Sequence, residues 1–135
     1  MRILGRDDGE VLTRVAADVF DSPIEPDLAA EFLDDPRHHL AVAIDDGVVV
    51  GIASGIHYVH PDKPPEMFVN EVGVTPAYQR RGIGRQLMQA LFERARALGC
   101  AEAWVSTEET NTAARRLYAS VGGTERSILL FGFPL

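Results

Sequence analysis

Arg80-Arg81-Gly82-Ile83-Gly84-Arg85 places three arginines and two glycines within six residues, a combination suited to holding an anion. An apolar, β-branched run at 69–74 precedes it and reads as a strand buried on both faces. Thr75-Pro76 ends that strand, because proline has no amide hydrogen to give to a ladder. Ile83, Leu87, Ala90, Leu91, Ala95 and Leu98 then recur at three and four residues, forming one stripe of a helix that Gly99 closes. The first amides of such a helix have no internal partners and carry the positive end of its dipole. Glycine at 82 and 84 lets a phosphate come close to the backbone. The stretch suits a pyrophosphate.

Other phosphate chemistries lack their parts. The pattern G-x-x-x-x-G-K-[ST] is absent, so nucleotide hydrolysis has neither its lysine nor its magnesium hydroxyl. A dinucleotide site needs G-x-G-x-x-G, and Leu87 stands at the third position. The four histidines show no metal-ligand spacing backed by acids or cysteines, and His38-His39 would diverge on a strand, so no metal is expected. Cys100 has no histidine near it in sequence to activate it and reads as a small buried apolar residue.

The elements that position the turn fit one domain spanning residues 1–135, with 46% hydrophobic and 24% charged residues. No apolar run approaches the roughly 20 residues of a membrane span. The first residues are followed by acids and do not read as a secretory leader. A single cysteine excludes an internal disulfide, and a reducing cytoplasm is the expected home. The net charge of −7 argues against a nucleic-acid partner. Twelve acids against four arginines leave the first 46 residues at −8 and the remainder near +1. That split fits an acidic half facing a cationic substrate and a basic turn facing an anionic cofactor, and it also fits ordinary solubility charge.

In chain order, Arg2-Ile3-Leu4 is a first strand, and Asp7 or Asp8 caps a helix running to about Phe20. A second helix covers about 27–33. Asp45-Asp46-Gly47 between two apolar runs is a strong hairpin signal. A proline-rich loop holding His57 and His60 leads to the strand at 69–74 and the long helix. Ala103-Trp104-Val105-Ser106-Thr107 is a further strand, and Asn111 opens a helix with Ala114, Leu117, Tyr118 and Val121 on one stripe. Residues 127–133 supply a last strand. The class is α/β (α+β), a mixed central sheet flanked by about four helices in the order β-α-α-β-β-β-α-β-α-β.

Gln79-Arg80-Arg81-Gly82-Ile83-Gly84 fits Q/R-x-x-G-x-G/A, and residues 111–122 fit N-x-x-A-x-x-L-Y-x-x-x-G. Both motifs, in that order, resemble the GCN5-related N-acetyltransferase (GNAT) family over essentially the whole chain. The resemblance implies acetyl-CoA as cosubstrate, held by Val72, Gly73, Val74, Gln79, Arg80, Arg81, Gly82, Ile83, Gly84, Arg85, Asn111 and Tyr118. It implies that the Val72 amide polarises the acetyl carbonyl and that Tyr118 protonates the departing thiolate. Tyr118 also suits the helix's apolar stripe, and Asn111 also suits a helix cap. For the base, Glu71 is the leading candidate, alongside an ion pair with an arginine as its structural reading; His57, His60 and water remain open. Many relatives that modify proteins carry a glutamate five residues before the motif asparagine, where this chain has Ser106.

The Tyr58-Val59-x-Pro loop and the Glu71-Val72-Gly73-Val74 strand look like the aminoglycoside 3-N-acetyltransferase type I branch. The expected activity is direct acetyl transfer to a primary amine of a small cationic acceptor, aminoglycoside- or polyamine-like. Peptide acetylation and a non-catalytic acyl-CoA sensor are the alternatives. No nucleic acid or membrane partner is expected, and the resemblance allows a homodimer, because sheet edges in this fold often pair between subunits.

Overall fold

A computed structural model describes residues 1–135. Five strands form one sheet in the order of the chain: β1 (Arg2–Ile3), β2 (His38–Asp45), β3 (Val48–Tyr58), β4 (Glu66–Val74) and β5 (Glu102–Trp104). The first four are antiparallel neighbours, while β4 and β5 run parallel. The expected hairpin joins β2 to β3, with Asp46 at φ 48° and Gly47 at φ 73°. Two positive φ values in a two-residue turn match the right-handed twist of the strands it joins.

Helices α1 (Pro26–Asp34), α2 (Ile83–Ala97) and α3 (Thr112–Ser120) complete the fold. Pro26 opens α1, where its missing N–H costs nothing. The α2 stripe buries Leu87, Met88, Leu91 and Ala95 against Ala53, Met67 and Val69 of the sheet. The opposite face buries Leu12, Val19 and Leu33 against Val42, Val49 and Ile52. Gly99, at φ 81°, ends α2: its N–H reaches Arg96 O at 3.0 Å and the Cys100 N–H reaches Ala95 O at 2.9 Å. No helix is long and apolar enough to cross a membrane.

Two expected elements do not form. The helix expected to reach Phe20 is only a 3-10 turn, Gly9–Thr13. Beyond it the chain is captured by a sheet edge: Val49 N–H donates to Arg14 O at 2.8 Å and Ala16 N–H to Val49 O at 2.9 Å. Since β4 pairs with β3 only from Gly51 onward, Val49 has a free side, and β-branched Val15 suits an extended bridge better than a helix. The last strand, expected over 127–133, also has no partner, and those residues stay exposed. The strand read as buried on both faces is only half-buried from Glu71 to Val74, because β5 is too short to cover it.

The buried titratable residue of the sheet is His39, whose Nε2 lies 2.7 Å from His57 Nδ1, while neighbouring His38 diverges and stacks on Phe32. Burial, and secondarily the His57 charge, push the His39 pKa down to about 4. Between pH 6.5 and 4 the unfolded chain therefore binds a proton that the folded chain refuses, so stability falls as pH drops through that window. The expected loss is on the order of 2 kcal/mol. Urea midpoints at pH 7 and pH 4.5 read it, and His39→Leu should flatten that part of the profile.

Candidate active site

The β4–β5 ladder stops at Phe68 opposite Trp104, so β4 runs on from Val69 to Val74 with one edge unpaired. Thr75 N–H donates to Val50 O at 2.9 Å, toward β3. Backbone groups alternate along an antiparallel pair, so Glu71 and Gly73 also turn theirs to β3, and Val72 and Val74 turn theirs to the open edge. Gln79 Nε2 takes the Val74 carbonyl at 2.9 Å, which places that side chain at the mouth of the gap. The Val72 N–H and C=O and the Val74 N–H remain directed into it. Asn70 is an extra residue at a register shift opposite Ser54 and Gly55, a bulge that re-aims the strand immediately before Glu71.

The two faces of β4 differ in kind. Val72 and Val74 pack toward the α2 core, together with Ile83, Val105 and Tyr118. Glu71 faces the other side, where its Oε1 accepts the Asp21 N–H at 3.1 Å. No arginine pairs with Glu71, which removes the ion-pair reading. Gly73 faces the same side, and a Cβ there would lie 2.1 Å from the Val19 carbonyl oxygen. The absent side chain at 73 thus serves the close approach of the Val19–Asp21 backbone rather than a cofactor.

That segment borders a cleft of about 1250 Å³ between the 3-10 turn and α1. Asp18, Asp21, Glu31 and Asp34 line it, and the one arginine among its lining residues, Arg6, is already paired with Asp34 at 2.6 Å. The cleft is anionic.

At the C-terminal end of β4 the chain turns through Pro76–Tyr78 into α2. Arg80 at φ 63° and Gly82 at φ 79° both adopt left-handed backbone, and nothing lies within 4 Å of a Cβ built on Gly82. The helical ladder starts at Gln86 N–H to Gly82 O, 3.1 Å, which leaves the amides of Ile83, Gly84 and Arg85 ahead of it. Gly84 has a different reason from the expected one. A Cβ there would meet Leu117 Cδ2 at 3.2 Å, so this glycine lets α3 pack on α2. Ile83 likewise packs over Gly51. Arg80, Arg81 and Arg85 are exposed and none is in an ion pair; Arg81 lies over the Tyr78 ring at 4.9 Å from its centroid.

Tyr118 is half-buried on α3, and burial raises its phenol above its ordinary value. Tyr78 OH donates to Asp45 and Tyr58 OH accepts the Trp104 N–H, whereas the Tyr118 hydroxyl has no such partner. Asn111 caps α3, with Oδ1 accepting the Ala114 N–H at 3.1 Å. His57 and His60 lie elsewhere. His57 pairs across from Met67, five residues or roughly 16 Å of strand from Val72. His60 Nε2 is held by Glu66 at 2.6 Å at that same far end. Burial also raises the Cys100 thiol, which disfavours a nucleophile there. Sequence reasoning missed the Asp21–Glu71 contact and the Val19–Gly73 approach, since about fifty residues separate each pair.

The acetyltransferase (GNAT) family model matches residues 10–122. N-alpha-acetyltransferase RimI of Mycobacterium tuberculosis is 36% identical over 121 residues, 88% of this chain and 74% of the relative. Aminoglycoside N(6')-acetyltransferase type 1 of Salmonella typhimurium is 30% identical over 99 residues, 69% of this chain and 68% of the relative. Among solved structures, an aminoglycoside acetyltransferase from an uncultured soil metagenomic sample, in complex with sisomicin, shares the fold at TM-score 0.86 and 18% identity, covering 99% of this chain and 94% of that one. AAC(6')-Iy in complex with a CoA bisubstrate analogue does so at TM-score 0.81 and 22% identity, covering 99% and 96%. These two relatives with a stated position are named for 6', so the likeness to the 3-N type I branch finds no support in them. The chain belongs to the acetyltransferase (GNAT) family and is an acyltransferase whose acetyl donor is acetyl-CoA.

Proposed function

We propose that the chain transfers acetyl from acetyl-CoA to a primary amine of a small cationic acceptor, aminoglycoside- or polyamine-like, by direct attack in a ternary complex. The observation that carries this reading is the unpaired edge of β4, with the basic turn at its end and the anionic cleft on one face. In this reading the pyrophosphate rests on the amides at the start of α2 beside Arg80, Arg81 and Arg85. The pantetheine arm takes the strand's place against Val72 and Val74, with Gln79 and Asn111 at the borders. The Val72 N–H donates to the acetyl oxygen as the carbonyl becomes an oxyanion.

The amine nitrogen attacks the carbonyl carbon from the Glu71 side, a C–N bond forms and the C–S bond breaks. The amine proton passes to Glu71 or to a water that it holds, and the Tyr118 hydroxyl proton goes to the departing thiolate. Its partners are acetyl-CoA, the amine and a second copy of the chain, with no nucleic acid or membrane, in the cytoplasm.

Glu71→Gln keeps the Asp21 contact but removes both the base and a negative charge. It should lower kcat/KM for the amine by about 10²-fold or more, with KM for acetyl-CoA unchanged. An unchanged kcat/KM would remove Glu71 from the mechanism.

A second reading, acetylation of a peptide or protein α-amine, is favoured by the RimI relative and weakened by Ser106 at the family's glutamate position. Coenzyme A thiol release, compared over aminoglycosides, polyamines and short peptides, separates the two. Turnover confined to peptides would overturn the small-cation reading, and product analysis on an aminoglycoside would identify the acetylated position. No release with any amine, despite tight acetyl-CoA binding, would favour the sensor.

A further inference from the structure

The sheet face that carries Glu71 is covered over only part of its width. Leu40, Val42, Val49 and Ile52 are buried there among residues of the 3-10 turn and α1. Met67, Val69 and Ala103 pack on the α2 side, so by alternation Phe68 of β4 and Trp104 of β5 point to the other face. The extra residue at Asn70 brings Glu71, three positions on, to that same face. Neither ring is part of either core. Their centroids lie 4.4 Å apart with 33° between the planes, and the Trp104 indole N–H donates to Tyr58 OH at 3.0 Å. The indole is thus held by its polar edge, while the residue stays 40% exposed.

Carboxylates stand at both ends of this aromatic shelf. Glu71 lies beyond it on one side. On the other, Glu66 is the register partner of Glu102, and both share the Phe68 face by alternation. Glu66 Oε2 lies 2.6 Å from His60 Nε2, whereas Glu102 is exposed and in no ion pair. The anionic cleft between the 3-10 turn and α1 includes none of these residues, so the shelf is a separate surface.

An indole face attracts a cation, and it also packs well against the flat C–H face of a saturated ring that carries one. Carboxylates at both ends favour a ligand charged at both ends. Glu71 and Glu66 are roughly 15 Å apart along the strand, and two glutamate side chains shorten that gap to the reach of a two-ring amine. The indole is fixed before binding, so a rigid ring loses little freedom on it, whereas a linear polyamine must freeze its rotors.

We propose that the Phe68–Trp104 shelf is an acceptor subsite for a ring-bearing polyamine. One ring lies on the indole with its ammonium toward Glu66 and Glu102, and the reacting amine reaches Glu71. This rests on the small-cation reading above and narrows it from cationic amines in general to amino-sugar-like rings. Trp104 selects the acceptor and takes no part in the transfer.

Trp104 is the only tryptophan of the chain, so its fluorescence reports the subsite without any turnover. The protein saturated with coenzyme A is titrated with neamine, spermidine and an alanyl-peptide amide. Neamine is expected to shift the emission saturably. By calorimetry, Trp104→Ala should raise the neamine Kd about tenfold and the spermidine Kd less than about twofold, and Trp104→Phe should recover most of the loss. In turnover the loss should fall on the amine KM, with kcat kept. Glu102→Gln, which removes an exposed charge and no packing, should raise the neamine Kd about threefold with an unchanged thermal melt. Neamine that binds without moving the emission, or that loses no more affinity than spermidine in Trp104→Ala, overturns the subsite and leaves the small-cation reading standing. Binding of the peptide alone overturns both.

Discussion

Tyr118→Phe is expected to lower kcat for acetyl transfer by about 10²–10⁴-fold while acetyl-CoA binding changes little. The phenylalanine ring preserves the packing of α3 against the α2 core, and the lost hydroxyl has no hydrogen-bond partner whose need it would leave unmet. Stability should therefore move by a few tenths of a kcal/mol at most. What disappears is the phenol proton, which in the proposed mechanism the departing thiolate receives; burial raises the phenol further above its ordinary range. Thiol release and calorimetric titration of acetyl-CoA read the two quantities separately. Unaltered turnover would mean that Tyr118 is a core aromatic and that another donor protonates the thiolate.

Gly73→Ala is the second large effect, and it acts through packing. The new methyl would sit 2.1 Å from the Val19 carbonyl oxygen, a backbone atom of a residue that is itself buried. The 19–21 segment must then lift from β4, at an expected cost of about 1–3 kcal/mol, with the upper end favoured because the clash is with backbone. Lifting it also breaks the Asp21–Glu71 hydrogen bond and displaces one wall of the anionic cleft. A lower urea midpoint together with a rise of about tenfold or more in the amine KM is expected, with acetyl-CoA affinity nearly retained. The elements proposed to hold acetyl-CoA (the open edge at Val72 and Val74, and the start of α2) pack on the α2 side of β4, opposite that segment. A stable variant with normal amine kinetics would show that the loop does not position the acceptor.

These two residues also divide what sequence could reveal from what it could not. Tyr118, Asn111 and the Gly82 turn are legible because each belongs to a short motif whose spacing is set by one helix or one turn. The α2 stripe, the Asp46-Gly47 hairpin and the glycine stops at Gly99 and Gly122 are local in the same way, and the backbone follows them. Gly84 shows the limit even within a motif. Its glycine is required by Leu117 on α3, about thirty residues away, so the residue type was readable and its physical reason was not.

The elements that sequence misjudged are those decided by competition for a sheet edge. Residues 14–16 carry a pattern compatible with a helix, but Val49 offers them free backbone donors and acceptors, and an extended bridge results. Residues 127–133 carry a strand's composition, yet they join no ladder, and the outer edge of β5 stays unpaired. Sequence alone pointed to the family and singled out the Gly82 turn and Tyr118, because those depend on neighbours within one or two turns of chain. The placing of Glu71 against Asp21, the exclusion of His57 and His60 from the gap, and the open edge beside Val72 came only with the tertiary structure. Each of them depends on register between distant strands, and a shift of one residue there would turn every one of those groups to the opposite face.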